Sequence, residues 1–335
     1  MKEEKFQYGG QAVLEGVMMR GRNYMAVSIR KSDGSIVART EKIGSLSHKI
    51  SWLKWPLIRG MLAFVETMIL GVKVLFYSAN ELMDDLEKEE AARKGLTKKR
   101  AGLGWGEVLI IIAATFGVLM LFIVVLPDLF TRLVEKAAPD LARHPAQGRS
   151  FADRTLLNLI EGLFRLGIFI LYVVLVSFIK DIRRVWSYHG AEHKAIFTYE
   201  AGEELRTENA RVKTTLHPRC GTSFLFYVII VSYLVFSVIP RPDNMFLRWL
   251  TRLPLLLPIA GISYELIKAA GKKQSRFIFR ILSLPGLWLQ RITTKEPDDQ
   301  QLEVALRALK EVLTAEAAFD SKVVPVDAKK VESLV

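Results

Sequence analysis

Residues 159–200 read LIEGLFRLGIFILYVVLVSFIKDIRRVWSYHGAEHKAIFTYE. Its first half, 159–179, is mainly apolar and has the length a helix needs to cross a bilayer, about 20 residues at about 1.5 Å each. Glu161 and Arg165 lie in its first two turns. The second half turns basic at Lys180, Arg183 and Arg184. It then sets out His189-Gly190-Ala191-Glu192-His193, the H-x-x-E-H spacing of one class of zinc hydrolases. Two questions follow: how many such spans the chain has, and which other residues stand near the histidines.

Three further stretches have span character: 107–126 (EVLIIIAATFGVLMLFIVVL), 223–239 (SFLFYVIIVSYLVFSVI), and 246–267, broken by Pro254 and Pro258 and carrying Arg248 and Arg252 at one end. A kinked helix packed against neighbours tolerates such prolines. PRPDN at 240–244 has turn chemistry and joins the last two into a helical hairpin, crossing or re-entrant. Lys98, Lys99 and Arg100 precede the first span, Lys180, Arg183 and Arg184 follow the second, and Lys268, Lys272, Lys273, Arg276 and Arg280 follow the fourth. Residues 127–158 mix five basic with four acidic side chains. The positive-inside rule therefore places both termini and the 180–222 loop in the cytoplasm. The expected fold is an α-helical polytopic membrane protein of about four transmembrane helices with a small N-terminal α+β cytoplasmic portion.

Composition agrees. Half of the 335 residues are hydrophobic, yet the formal charge is +12. That pairing suits a membrane protein with basic flanks attracted to anionic lipid headgroups. No basic nucleic-acid module is recognisable, so a nucleic-acid partner is not expected. The bilayer is the expected partner, with protein partners or a homo-oligomer left open. Cys220 is the only cysteine, which excludes an intrachain disulfide. MKEEKFQYGG has no apolar run behind it, so no cleavable signal or transit peptide is expected.

The chain divides into a cytoplasmic portion at 1–59, an interfacial helix and charged linker at 60–106, two spans at 107–179 with an external loop at 127–158, a cytoplasmic His/Cys loop at 180–222, a hairpin at 223–267, and an interfacial helix, soluble helix and tail at 268–335. Residues 24–43 form two β-prone runs around Ser32-Asp33-Gly34 and predict a β-hairpin. Residues 60–79 are apolar but interrupted by Glu66 and Lys73, which predicts an interfacial or re-entrant helix rather than a fifth span. SRFIFRILSLPGLWLQRI at 275–292 mixes large apolar residues with arginine and predicts a helix along the membrane surface. Residues 298–319 have helical spacing, and the tail after Asp320 has a disorder-prone composition.

If the second span continues as one helix through the motif, His189 and His193 share a face at i and i+4. Two imidazoles so placed can reach one tetrahedral metal, with Glu192 as an outer partner or a general base. Gly190, a poor helix former, implies close packing or a ligand approaching the backbone. Downstream, TTLHPRCGTSF at 214–224 sets His217 and Cys220 at H-x-x-C spacing in a turn shaped by Pro218 and Gly221, a common half of a zinc site. The candidate ligands are His189, His193, His217 and Cys220, the candidate catalytic residue is Glu192, and mixed imidazole and thiolate ligation suits zinc, with iron and nickel as alternatives. Glu200, Glu203, Glu204 and Glu208 offer alternative third ligands or a solvated acidic helix end. The opposing reading is two exposed histidines at coincidental spacing and a packing cysteine. GGQAVLEGVMMRG at 9–21 reads as a glycine-bent strand of the hairpin portion, or as a segment folded over the site with Glu15 reaching it.

GGQAVLEGVMMRG, LIRG at 57–60, YHGAEHKAIFTYE and HPRCGTSFLF, present in that order, resemble the YqhQ-like family of bacterial membrane proteins, a domain of unknown function labelled a predicted metal-dependent enzyme. The resemblance covers roughly residues 6–290 and implies a bacterial cytoplasmic-membrane protein. Three functions fit. A metal-dependent hydrolase would bind zinc through His189, His193 and either His217 or Cys220, with Glu192 as base. A structural or regulatory protein would close a four-ligand site. A transporter or lipid-handling protein would use Arg165 and Glu265 along its path.

Overall fold

The computed structural model describes residues 6–44, 51–94, 121–137, 151–239, 242, 244–272 and 277–323, with scattered positions between 106 and 118. Eight of the twenty residues of the first expected span, 107–126, lie outside the described residues. So do most of the PRPDN turn and the tail from 324.

The N-terminal portion is an antiparallel meander in the order β1(Gly9–Val13), β2(Gly16–Arg20), β3(Tyr24–Arg30), β4(Ile36–Lys42). The hairpin expected at 24–43 is β3–β4, with Gly34 at φ +84° in its turn. β1 and β2 extend it, so 9–21 is a pair of strands rather than a single bent one. Strands VMMR and YMAVSIR are apolar at successive positions because the sheet is covered on both faces. Val17, Met19 and Ala26 pack on one face; Met18, Met25, Val27 and Ile29 pack on the other.

Helix α1(Pro56–Lys94) covers the second face through Val74, Leu70 and Tyr77. The two charges that interrupt its apolar run face the sheet portion: Glu66 lies 3.8 Å from Arg20, and Lys73 pairs with Glu41. Glu81 follows at 3.4 Å from Lys31, and Asp85 accepts the Ser32 N–H at 2.6 Å. Instead of a short helix at 60–79, the structure has one 39-residue helix whose stretch Pro56–Lys88 is long and apolar enough to cross a membrane.

Three later segments also have that length and composition: Thr155–Val176, Gly221–Val238 and Phe246–Ala269. They belong to α3(Phe151–Val176), α6(Gly221–Val238), and the pair α7(Met245–Arg252) and α8(Leu256–Lys272). Pro254 falls in the 3-10 turn between α7 and α8, where its missing N–H costs no helical bond. α1 crosses α8 where Gly60 and Gly261 bring the backbones together, and Arg59 holds Glu265 through two donors at 2.6–3.1 Å. At the far end of the bundle, α2(Leu126–Ala137) places Asp128 against Arg248, and Arg252 bonds Glu161 at 2.6 Å and Asn158 at 3.1 Å.

The second span does not run unbroken into the histidine motif. α3 ends at Val176, Ser177–Ile179 form a turn, and α4(Lys180–Glu200) starts afresh from Ile179 in extended conformation (φ −74°, ψ 124°). The short α5(Thr207–Arg211) follows, and α9(Phe277–Thr293) packs beside α6. Last comes α10(Asp299–Val323), opened by reciprocal bonds between Asp298 and Gln301 in the manner of a capping box. Together α4 and α10 close the first face of the sheet, burying Tyr188, Ala191, Ala195, Leu302, Ala305, Leu309 and Val312 with Val17 and Met19.

Buried Glu316 of α10 ties the two ends of the chain. It accepts the backbone N–H groups of Asn23 at 2.6 Å and Tyr24 at 2.9 Å, and the Asn23 side chain at 2.9 Å. Glu316→Ala strands those donors at about 1–3 kcal/mol. The amides of Met19–Met25 are then expected to exchange at least tenfold faster in hydrogen–deuterium exchange, while those of α6 keep their rates.

Candidate metal centre

His189 and His193 both sit in α4, one turn apart, with ring centroids 4.5 Å apart. Each Nδ1 meets a backbone carbonyl, His189 with Thr293 at 2.9 Å and His193 with Thr215 at 2.5 Å. A carbonyl only accepts, so each neutral ring carries its proton on Nδ1 and turns an Nε2 lone pair inward. Metal-binding histidines are commonly oriented in this way. The approach of α9 that supplies the Thr293 carbonyl depends on Gly190: a Cβ there would lie 2.1 Å from the Lys295 carbonyl oxygen. The close packing expected at this glycine is therefore present.

Cys220 is the N-cap of α6 and puts its Sγ 3.1 Å from His189 Nε2. The Thr222 N–H and hydroxyl lie 3.5 and 3.3 Å from the same sulfur. These contacts fix the sulfur beside His189, and a cysteine ligates metals as its thiolate. The donor atoms of His189, His193 and Cys220 all lie within 4.8 Å of one another, so these three residues can hold a metal ion. The fit is supported by an unsatisfied atom: His193 Nε2 is buried and has no hydrogen-bond partner among the described residues. A metal ligand position accounts for this otherwise costly arrangement.

His217 is placed differently. Its ring centroid is 5.4 Å from that of His193, and its Nδ1 accepts the Arg219 N–H at 3.3 Å. Its Nε2 faces Glu200 at 3.9 Å and Arg219 Nη2 at 3.4 Å. Burial lowers the His217 pKa. Burial alone would raise the Glu200 carboxyl, but its bonds from His217 and Arg219 outweigh this and hold it low. Of the glutamates in this loop, Glu200 thus partners His217, whereas Glu203 pairs with Lys213 and Glu204 with Arg206 at 2.7 Å.

Glu192 is buried beside the cluster, with a carboxylate oxygen 4.0 Å from His189 Nε2. Burial raises its pKa, opposed by His189 and by the Gly10 N–H. These groups share a cavity of about 360 Å³, lined by Tyr8–Ala12 of the β1 segment, by His189, Glu192, His193 and His217, and by Arg219–Thr222 at the start of α6. The 9–21 segment therefore roofs the site as well as building the sheet. Gly10 permits this, since a Cβ there would lie 2.8 Å from Glu192 Cγ. Glu15 stands in the β1–β2 turn at φ +52° and reaches α4 without entering the cluster, pairing with Arg184 and accepting the Tyr188 hydroxyl at 3.2 Å. The sequence reading missed the two carbonyls and Gln290, whose side chain accepts the His217 N–H at 2.7 Å and donates to its carbonyl at 2.8 Å. The Gly9-Gly10 pair was the available signal for the roof.

Residues 55–315 match the family described as Protein of unknown function (DUF1385). The chain belongs to this family. It is also 34% identical over 320 residues to the Uncharacterized protein YqhQ of Bacillus subtilis (strain 168), covering 95% of this chain and 96% of that one. No solved structure matches the chain. In this family member the cluster, the buried glutamate and the cavity form one assembly.

The raised Glu192 pKa carries a signed consequence for the metal-free protein. The folded state binds the proton more tightly than the unfolded chain, so folding loses stability as pH rises above about 4.5, the ordinary carboxylate value, toward the folded value. Glu192→Gln removes that loss. Metal-free Glu192→Gln is expected to melt above the metal-free wild type at neutral pH, with the gap closing as pH falls toward 4.5 in a thermal-melt series.

Proposed function

We propose that this chain is a membrane-embedded, zinc-dependent hydrolase, with His189, His193 and Cys220 as zinc ligands and Glu192 as its acid–base group. The observation that carries the reading is the unpartnered, buried Nε2 of His193, which shares its cavity with Glu192. Two imidazoles and a thiolate suit zinc, and three protein ligands with a free fourth position are the catalytic pattern. When bound, zinc supplies a Lewis acid that polarises a substrate carbonyl and acidifies water. The protein's own groups position and move the proton. Glu192 takes it from the attacking water and returns it to the leaving group, and burial shifts its carboxyl toward the range where both steps are efficient. Thr215 and Thr293 keep both rings in the tautomer that presents Nε2.

A structural site is the second reading, favoured by the nearness of His217: rotation away from Glu200 would offer a fourth donor and close the site. Transport has less support, because Arg165 bonds Glu161 at 2.8 Å and Glu265 bonds Arg59, which accounts for both charges. Protein purified in mild detergent without chelator is expected to carry about one zinc per chain. Metal analysis should show that zinc lost in His193→Ala and in Cys220→Ala but retained in His217→Ala. Glu192→Gln should keep the zinc and lose hydrolysis by about a hundredfold or more. Retained activity in Glu192→Gln, with zinc lost in His217→Ala, selects the structural site.

The membrane is proposed to be the bacterial cytoplasmic membrane, crossed by 107–126, 155–176, 221–238 and 246–269. The contacts of Glu66, Lys73, Glu81 and Asp85 with the sheet portion support keeping most of α1 on the side of the metal centre, as an interfacial or re-entrant helix. The Asp128–Arg248 and Glu161–Arg252 pairs then lie at the outer face. Anionic headgroups would face the basic cytoplasmic flanks. In a Cys220→Ala background, a membrane-impermeant maleimide applied to intact cells should label Lys136→Cys. It should label Glu208→Cys only after permeabilisation. The reverse pattern overturns this topology.

A further inference from the structure

We infer, resting on the hydrolase reading above, that the substrate is an extended polypeptide bound as an added strand along the outer edge of β1. The register of the sheet carries the argument. Gly21 N–H donates to the Tyr24 carbonyl at 2.7 Å and Arg30 N–H to the Glu15 carbonyl at 2.8 Å, so the odd-numbered residues of β2 direct their backbone groups toward β3. In an antiparallel ladder successive residues alternate sides. Gly16, Met18 and Arg20 therefore direct theirs toward β1, where they oppose Val13, Gln11 and Gly9. Gly10 and Ala12 consequently turn N–H and C=O away from the sheet. The Gly10 N–H beside the Glu192 carboxylate agrees independently with this register.

β1 is an edge strand, and Gly9–Ala12 line the cavity that holds His189, His193, Cys220 and Glu192. An outward edge offers main-chain donors and acceptors to a guest strand, which is how extended peptides are commonly held. Here the Ala12 N–H and the Gly10 and Ala12 carbonyls are those groups. Gly9 stands in open space, whereas Glu192 already takes the Gly10 N–H. The cavity, about 360 Å³, admits a short stretch of chain. A guest on this edge delivers a peptide carbonyl to the groups on α4. Water adds its oxygen to the carbonyl carbon, the C–N bond breaks, and the amide nitrogen leaves with the proton carried by Glu192.

The test uses the zinc-loaded, full-length protein in detergent and three probes: acetyl-Leu-Ala-Leu hydroxamate, the same probe with every peptide nitrogen methylated, and acetohydroxamate. Affinities are read by calorimetry. The peptide hydroxamate is expected to bind at least tenfold more tightly than either of the others. Ala12→Pro, which removes an outward N–H and no ladder bond, should erase that tenfold and leave acetohydroxamate binding and zinc content unchanged. Equal binding of the peptide probe and its methylated form, with acetohydroxamate still bound, overturns the strand-addition proposal and leaves the metal centre standing. A protein that holds no zinc, or that binds none of the three, overturns both. If Ala12→Pro does not fold, the comparison of the two peptide probes on the wild type decides.

Discussion

Two backbone carbonyls set the orientation of the donor cluster. Thr215, in the loop between α5 and α6, and Thr293, the last residue of α9, each accept the Nδ1–H of one imidazole. A lone histidine in solution moves between tautomers; these two are held in the one that turns both Nε2 atoms inward. The arrangement needs α9 to come within contact of α4, which a single glycine at 190 allows. It also needs the loop between α5 and α6 to return beneath α4, which Gln290 secures by bonding both backbone groups of His217. Fold and site are thus joined through the main chain.

The helical bundle has two polar ends of different character. One end carries the donor cluster and the buried glutamate. At the other end the acids and arginines neutralise one another: Asp128 meets Arg248, and Glu161 meets both Arg165 and Arg252. Buried ion pairs contribute little net stability, yet removing one partner is expensive, so such pairs fix which helix ends meet. Asn158 adds to this by donating to the Phe236 carbonyl at 2.8 Å and linking α3 to the end of α6. The donor cluster is confined to one end, and the opposite end acts as a clamp.

Hydropathy was enough to expect spans at 159–179, 223–239 and 246–267, which overlap Thr155–Val176, Gly221–Val238 and Phe246–Ala269, because length and apolarity are local properties of the chain. The β3–β4 hairpin was legible for the same reason: turn residues and β-branched runs act over a few positions. The H-x-x-E-H spacing placed both histidines on one helical face. What escaped sequence reading was every feature that depends on distant main chain. The helix break at Ser177–Ile179 has no proline or glycine to mark it. Glu66 and Lys73 looked like obstacles to a long helix because Arg20 and Glu41, which pair with them, lie in another part of the chain. His217 looked equivalent to its fellow candidates because nothing in HPRC reveals Glu200 beneath it.

The roof of the cavity is contributed by β1, and the helix that locks the sheet in place is α10, so the first and last described elements close the same structure. Synthesis therefore completes the helices of the bundle before the sheet is closed. While the chain is still emerging, the hairpin lacks the carboxylate of Glu316 and the open face of the sheet lacks its cover. The sheet that lends β1 to the cavity is covered only after α10 has been released and has folded back on the N-terminal strands. A chain that stops before α10 therefore leaves one face of the sheet, and the strand that roofs the donor cluster, without their support.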